Sequence, residues 1–159
     1  MIKENIEQLF TRDISKLQQE IAAYAEEALM WKIVDGIHNS AGNLCLHLIG
    51  NLNTYIGAAL GNTGYIRNRE LEFTLQNIPK TQLLKEIDNV QIVIKETFPK
   101  LTEDQLRKDY PTEVLGYPMT TIYFLMHLLA HLNYHLGQIN YHRRIVTNIT
   151  DQPDSPGKI

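Results

Sequence analysis

The sequence predicts an all-α protein: a four-helix bundle with a short extra helix before its last long one. Three observations predict it. Apolar residues recur every three or four positions in four separate segments. One of those segments is apolar almost all round, as a helix buried in the middle of a bundle must be. A long aperiodic stretch follows it, enough chain to run the length of a bundle and allow parallel neighbours.

The first helix reads from about Ile2 to Met30. Ile6, Leu9, Phe10, Ile14, Leu17, Ile21 and Tyr24 form its apolar stripe, with Lys and Glu opposite. Asp35-Gly36 then signals a turn. Asn39 and Ser40 offer N-caps for a second helix, from about Ala41 to Leu60. Its polar features are Asn43, His47, Asn51 and Tyr55, and Gly61-Asn62-Thr63-Gly64 stops it. From Tyr65 to Pro79 no period is visible, so this reads as a connection. A third helix spans about Thr81 to Phe98, with Leu83, Leu84, Ile87, Val90, Ile94 and Phe98 on one face and Pro99 at its end. Thr102-Glu103-Asp104-Gln105 matches a capping box and predicts the short extra helix. Thr112 to Leu115 looks extended, and Gly116-Tyr117-Pro118 turns the chain into the last long helix, from about Thr120 to Val146. Residues 1–146 thus form one bundle domain, and 147–159 read as a loosely ordered tail.

Composition narrows the function classes. The 159 residues are 43% hydrophobic and 21% charged, as in an ordinary globular domain. A net charge of −3, with no basic stripe, gives no field for nucleic acid or anionic lipid. The one cysteine, Cys45, cannot close an internal disulfide. No apolar run reaches the length of about 18 residues expected of a membrane span, and acids near the N-terminus argue against a signal peptide. A cytoplasmic protein follows by default.

Chemistry is concentrated on the last helix, where His127, His131, His135 and His142 fall within an arc of roughly 80°. Two imidazoles four residues apart stand one above the other and can share a metal ion. His47, on the other strongly apolar helix, is the natural third ligand, since a histidine buried among Leu and Ile requires a partner. The opposing reading is that each histidine is simply a packed or solvated residue. His127 fits packing beside the site, His142 lies about two turns too far, and His38 sits in a solvated turn. Cys45 should face away from His47 and serve as a small core residue. Gln138, or Asn43 and Asn51 one turn either side of His47, could hold imidazole tautomers or bond to backbone instead. Tyr134 and Gln138 are the candidate catalytic residues. Gly50 and Gly137 would allow close helix approach. Arg143 and Arg144 suit the C-terminal end of the helix dipole or could receive an anionic substrate.

The histidine within Asn43-Leu44-Cys45-Leu46-His47-Leu48-Ile49-Gly50-Asn51, followed far downstream by His131-x-x-x-His135-x-x-Gln138, resembles the DinB-like superfamily, also called the YfiT-like metal-dependent hydrolases. The order of long helices and the chain length agree with it. The resemblance implies an up-down-down-up bundle, commonly a homodimer, with a divalent metal, often nickel or zinc, on positions matching His47, His131 and His135. It also implies either hydrolysis of a small-molecule substrate or transfer using a low-molecular-weight thiol. A non-catalytic, stress-related metal-binding bundle is the alternative. No carboxylate lies at helical spacing beside these ligands, so the sequence identifies no general base.

Overall fold

The computed structural model describes residues 2–147, so the tail expected over 147–159 lies, beyond Thr147, outside the described residues. Helix α1 (Ile2–Ala22) buries Ile6, Phe10, Ile14, Leu17 and Ile21, the predicted stripe. It ends eight residues earlier than its periodicity suggests. Tyr24 turns into the core and its carbonyl accepts a hydrogen bond from Lys80 Nζ at 2.8 Å. A 3₁₀ turn (Glu27–Trp31) then buries Met30 and Trp31. No Gly or Pro marks this stop; tertiary packing overrides local propensity.

Helix α2 (Ala41–Leu52) starts where Ser40 Oγ accepts from the Asn43 backbone N–H at 3.1 Å. Every residue in it except Leu46 is buried. The chain continues through a π-helical turn (Asn53–Ala58) and a last α turn (Ala59–Gly61), where a regular helix was expected. The connection after it contains an unforeseen helix, α3 (Arg69–Thr74), capped by Asn68 Oδ1 on the Leu71 N–H. Helix α4 (Lys80–Thr97) buries Leu83, Ile87, Val90 and Ile94. Helix α5 (Glu103–Arg107) carries the predicted capping box between Thr102 and Gln105. The loop over 108–120 is not a strand: it is closed by an isolated bridge between Asp109 and Thr120. Helix α6 (Thr121–Val146) follows, capped by Thr120.

Contacts fix the directions. Asp13 meets Asn133 and Glu20 meets Asn140, the same offset of 120 residues, so α1 and α6 run parallel. Gln18 meets Asp88 and Ser15 meets Gln91, so α1 and α4 are antiparallel. Gly57 lies beside Val93 and Gly61 beside Thr97, which makes the chain after α2 parallel to α4. His47 meets His131 and Tyr55 meets Phe124, so α2 and α6 are antiparallel. The bundle is up-down-down-up, with the most buried helix set against the histidine face of α6. No helix among the described residues is long and apolar enough to cross a membrane.

Candidate metal centre

The three histidines grouped by spacing converge. Donor atoms of His47, His131 and His135 all lie within 4.8 Å of one another. His131 Nε2 is 3.2 Å from His47 Nε2 and 3.1 Å from His135 Nε2. Two imidazoles bound tetrahedrally at about 2.05 Å would have nitrogens about 3.3 Å apart, so the spacing suits one shared ion.

The proton inventory makes a stronger case. His47 Nδ1 is 3.0 Å from Glu72 Oε2, an oxygen held in the fork of Arg67 and thus an acceptor. His135 Nδ1 is 2.6 Å from Gln138 Oε1, also an acceptor as assigned. The donor Arg67 Nη2 also lies 3.3 Å from His47 Nδ1. With the nearer carboxylate as its partner, His47 carries its hydrogen on Nδ1, as His135 does against Gln138, and both rings then present a bare lone pair at Nε2. His131 has one hydrogen and two such lone pairs facing its Nε2, while its own Nδ1 is buried without a partner. With His47 and His135 protonated at Nδ1, the single hydrogen of His131 cannot serve three facing Nε2 atoms, whereas a cation at their meeting point would accept all three lone pairs and leave the His131 Nδ1–H as the one unpaired group. Burial lowers the pKa of all three imidazoles. His131 is pushed down to about 4, by burial first and then by repulsion from His135 and His47. The rings are consequently neutral at pH 7, the form a metal requires.

Glu72 and Arg67 were invisible in the sequence. Both come from the stretch read as structureless, and helix α3 delivers the carboxylate to the back of His47. Arg67 Nε and Nη2 grip it at 2.6 and 2.8 Å. Gly50 makes room for it: a Cβ there would lie 2.9 Å from Glu72 Cδ and closer still to Oε1. Its role is thus contact with α3, while Gly137 meets open space and does not serve helix approach. Asn43 does not touch His47; its Nδ2 donates to the carbonyls of Glu72 and Leu75 at 3.0 and 2.9 Å and fastens α3 to α2. The available signal was Asn68 as an N-cap three residues before Leu71.

Other expected residues separate cleanly. Cys45 is fully buried, and burial pushes its thiol pKa up. His142 is buried and bonded to Tyr24 and Lys32, away from the cluster. His38 is exposed. His127 is exposed, stacked near Phe124 with centroids 5.8 Å apart. Tyr134 is exposed with its ring edge on His135. Arg143 pairs with Glu20 at 2.6 Å. A cleft of about 330 Å³ opens beside His47 and His131, with Asn51, Arg67, Arg69 and His127 among its walls.

The family model for DUF1572, a protein family of unknown function, matches residues 2–152, and the chain belongs to that family, which is DinB-like. A solved DinB-like protein from Bacillus cereus ATCC 10987 is similar in structure, with a TM-score of 0.72 at 19% identity, covering 91% of this chain and 92% of that one. That likeness concerns the fold. A search of curated proteins finds no match.

Proposed function

We propose that this member of the DUF1572 family holds one divalent metal ion, nickel or zinc, on His47, His131 and His135, and acts on a small-molecule substrate in the adjoining cleft. One observation carries this reading: three rings aim Nε2 at one another while two of them are tied through Nδ1 to oxygen acceptors. Three neutral ligands leave the full charge of an ion and at least one coordination position free, the pattern of reactive sites more than of closed structural ones. Bound there, the ion would lower the pKa of a water molecule or hold a low-molecular-weight thiol as thiolate.

The chain's own residues would do the rest. Glu72 and Gln138 hold two imidazoles in the tautomer that leaves Nε2 free. His127, on the cleft wall, can take or give a proton at a bound molecule. The protein supplies no thiol of its own, since Cys45 is sealed in the core. A thiol-dependent reaction would need the thiol as a separate cofactor.

The test begins with protein freed of any affinity tag. Mass spectrometry should find one metal equivalent per chain, absent from a His47→Ala variant. Metal-loaded protein is then offered activated esters and amides, and in parallel a thiol with chlorinated or epoxide electrophiles. Turnover in the first set assigns a hydrolase and in the second a thiol transferase. A metal-replete protein inert to both would favour the non-catalytic alternative, and a His47→Ala variant that keeps its ion would refute the ligand set.

The expected homodimer has a suitable surface. Tyr123, Met126, Tyr134, Tyr141 and Ile145 are all exposed along α6, and from Thr121 to His142 that helix contains no Asp, Glu, Lys or Arg. Light scattering on the native chain and on Tyr134→Glu would measure it, with a monomeric native chain as the contrary result.

A further inference from the structure

The walls of the cleft specify what kind of molecule fits it. Resting on the metal reading above, we propose that the substrate is an anionic small molecule with an apolar body, and that Arg69 receives its acid group. Arg67 and Arg69 are the charged side chains lining the cleft, and the lining includes no Asp or Glu. Arg67 is already committed: it forks onto Glu72 and lies 5.7 Å over the Tyr55 ring. Arg69 is not. It is exposed, rests 5.9 Å over the Phe73 ring, and has no carboxylate partner among the described residues.

The remaining walls agree with this division. Val114, Leu115, Phe124 and Leu128 form an apolar side. Asn51 is only 7% exposed, and its Oδ1 is a buried polar atom without a partner at the cleft wall. Glu72 sits behind His47, balanced by Arg67, and three neutral imidazoles do not offset an ion's charge. With an ion bound, the field in the cleft would be positive from both its side and Arg69, and a planar guanidinium matches a carboxylate or a phosphate.

The shared chemistry is an acid group on a hydrophobic frame. Three probes separate its sources: 3-phenylpropionate, phenyl phosphate and the neutral 3-phenylpropionamide. Calorimetric titration of zinc-loaded native protein, Arg69→Gln and Arg69→Lys reads them out. A charge-assisted hydrogen bond corresponds to roughly tenfold in affinity or more. The native protein should prefer an anion over the amide by at least about that factor. Arg69→Gln should lose it at unchanged zinc content, with amide binding unaltered, and Arg69→Lys should retain part of it. The tighter anion identifies the acid group. Zinc attracts anions in every variant, so the comparison at equal zinc isolates the arginine. Equal anion affinity in native and Arg69→Gln protein overturns the proposal. Failure to take up zinc contradicts the metal reading alone, and the arginine assignment is then decided by the same titrations on metal-free protein.

Discussion

Helix α6 draws histidines out of full solvent exposure in two places, and the two are chemically unlike. His142 is complete on its own: Nε2 donates to the Lys32 carbonyl at 2.8 Å and Nδ1 accepts from the Tyr24 hydroxyl at 2.7 Å. One tautomer satisfies both neighbours. Two to three turns earlier, His131 and His135 meet His47 Nε2 to Nε2, and with His47 and His135 protonated at Nδ1 a single hydrogen is left for three facing nitrogens. Both regions have imidazole pKa values lowered by burial. Burial alone therefore does not mark a candidate metal site. What separates the two is whether the protein itself provides a donor for every acceptor.

The comparison can be broken most sharply at His131. His131→Ala should cost more metal affinity than the roughly 10–100-fold typical when a hydrogen-bonding partner of a ligand is altered, measured by competition with a chelating dye. Glu72→Gln should fall within that 10–100-fold range, because His47 loses its charged acceptor while keeping its ring position. At the other region the effect should change kind. His142→Phe should leave metal content at one per chain but lower folding stability by about 1–3 kcal/mol in urea unfolding, since the Tyr24 hydroxyl and Lys32 carbonyl lose their partner.

Acid should produce the most graded effect and act on both regions. The folded-state pKa values lie below the ordinary 6.5, so the unfolded chain takes up protons first as pH falls. The stability of metal-free protein should be full above pH 6.5 and decline from there toward about 4, the value for His131. Metal should be released over the same range, as protons compete for Nε2. Thermal unfolding at pH 7.5, 6 and 5 checks the first and dialysis at the same values the second.

How much of this was legible in the sequence follows the same division. The trio and Gln138 were readable because helical spacing places 131, 135 and 138 on one face, and because a histidine in a nearly uncharged helix stands out. Glu72 and Arg67 were not, because the six-residue α3 has too few turns to show a period, and the partner they serve lies 25 and 20 positions away. The stop of α1 at Ala22 was hidden for a related reason: Tyr24 continues the apolar spacing while its backbone has already left the helix. The pairing of His142 with Tyr24 spans 118 residues and left no local trace. Spacing reveals what one helix face holds; it says little about what a distant segment brings to it.

The most direct test follows the ring nitrogens themselves, by long-range ¹H–¹⁵N correlation of the histidines during zinc titration of metal-free protein. The Nε2 resonances of His47, His131 and His135 should all shift together, saturating at one zinc per chain, while both nitrogens of His142 stay in place. Zinc that moves only one or two of the three, or that perturbs His142 as strongly, would contradict the account.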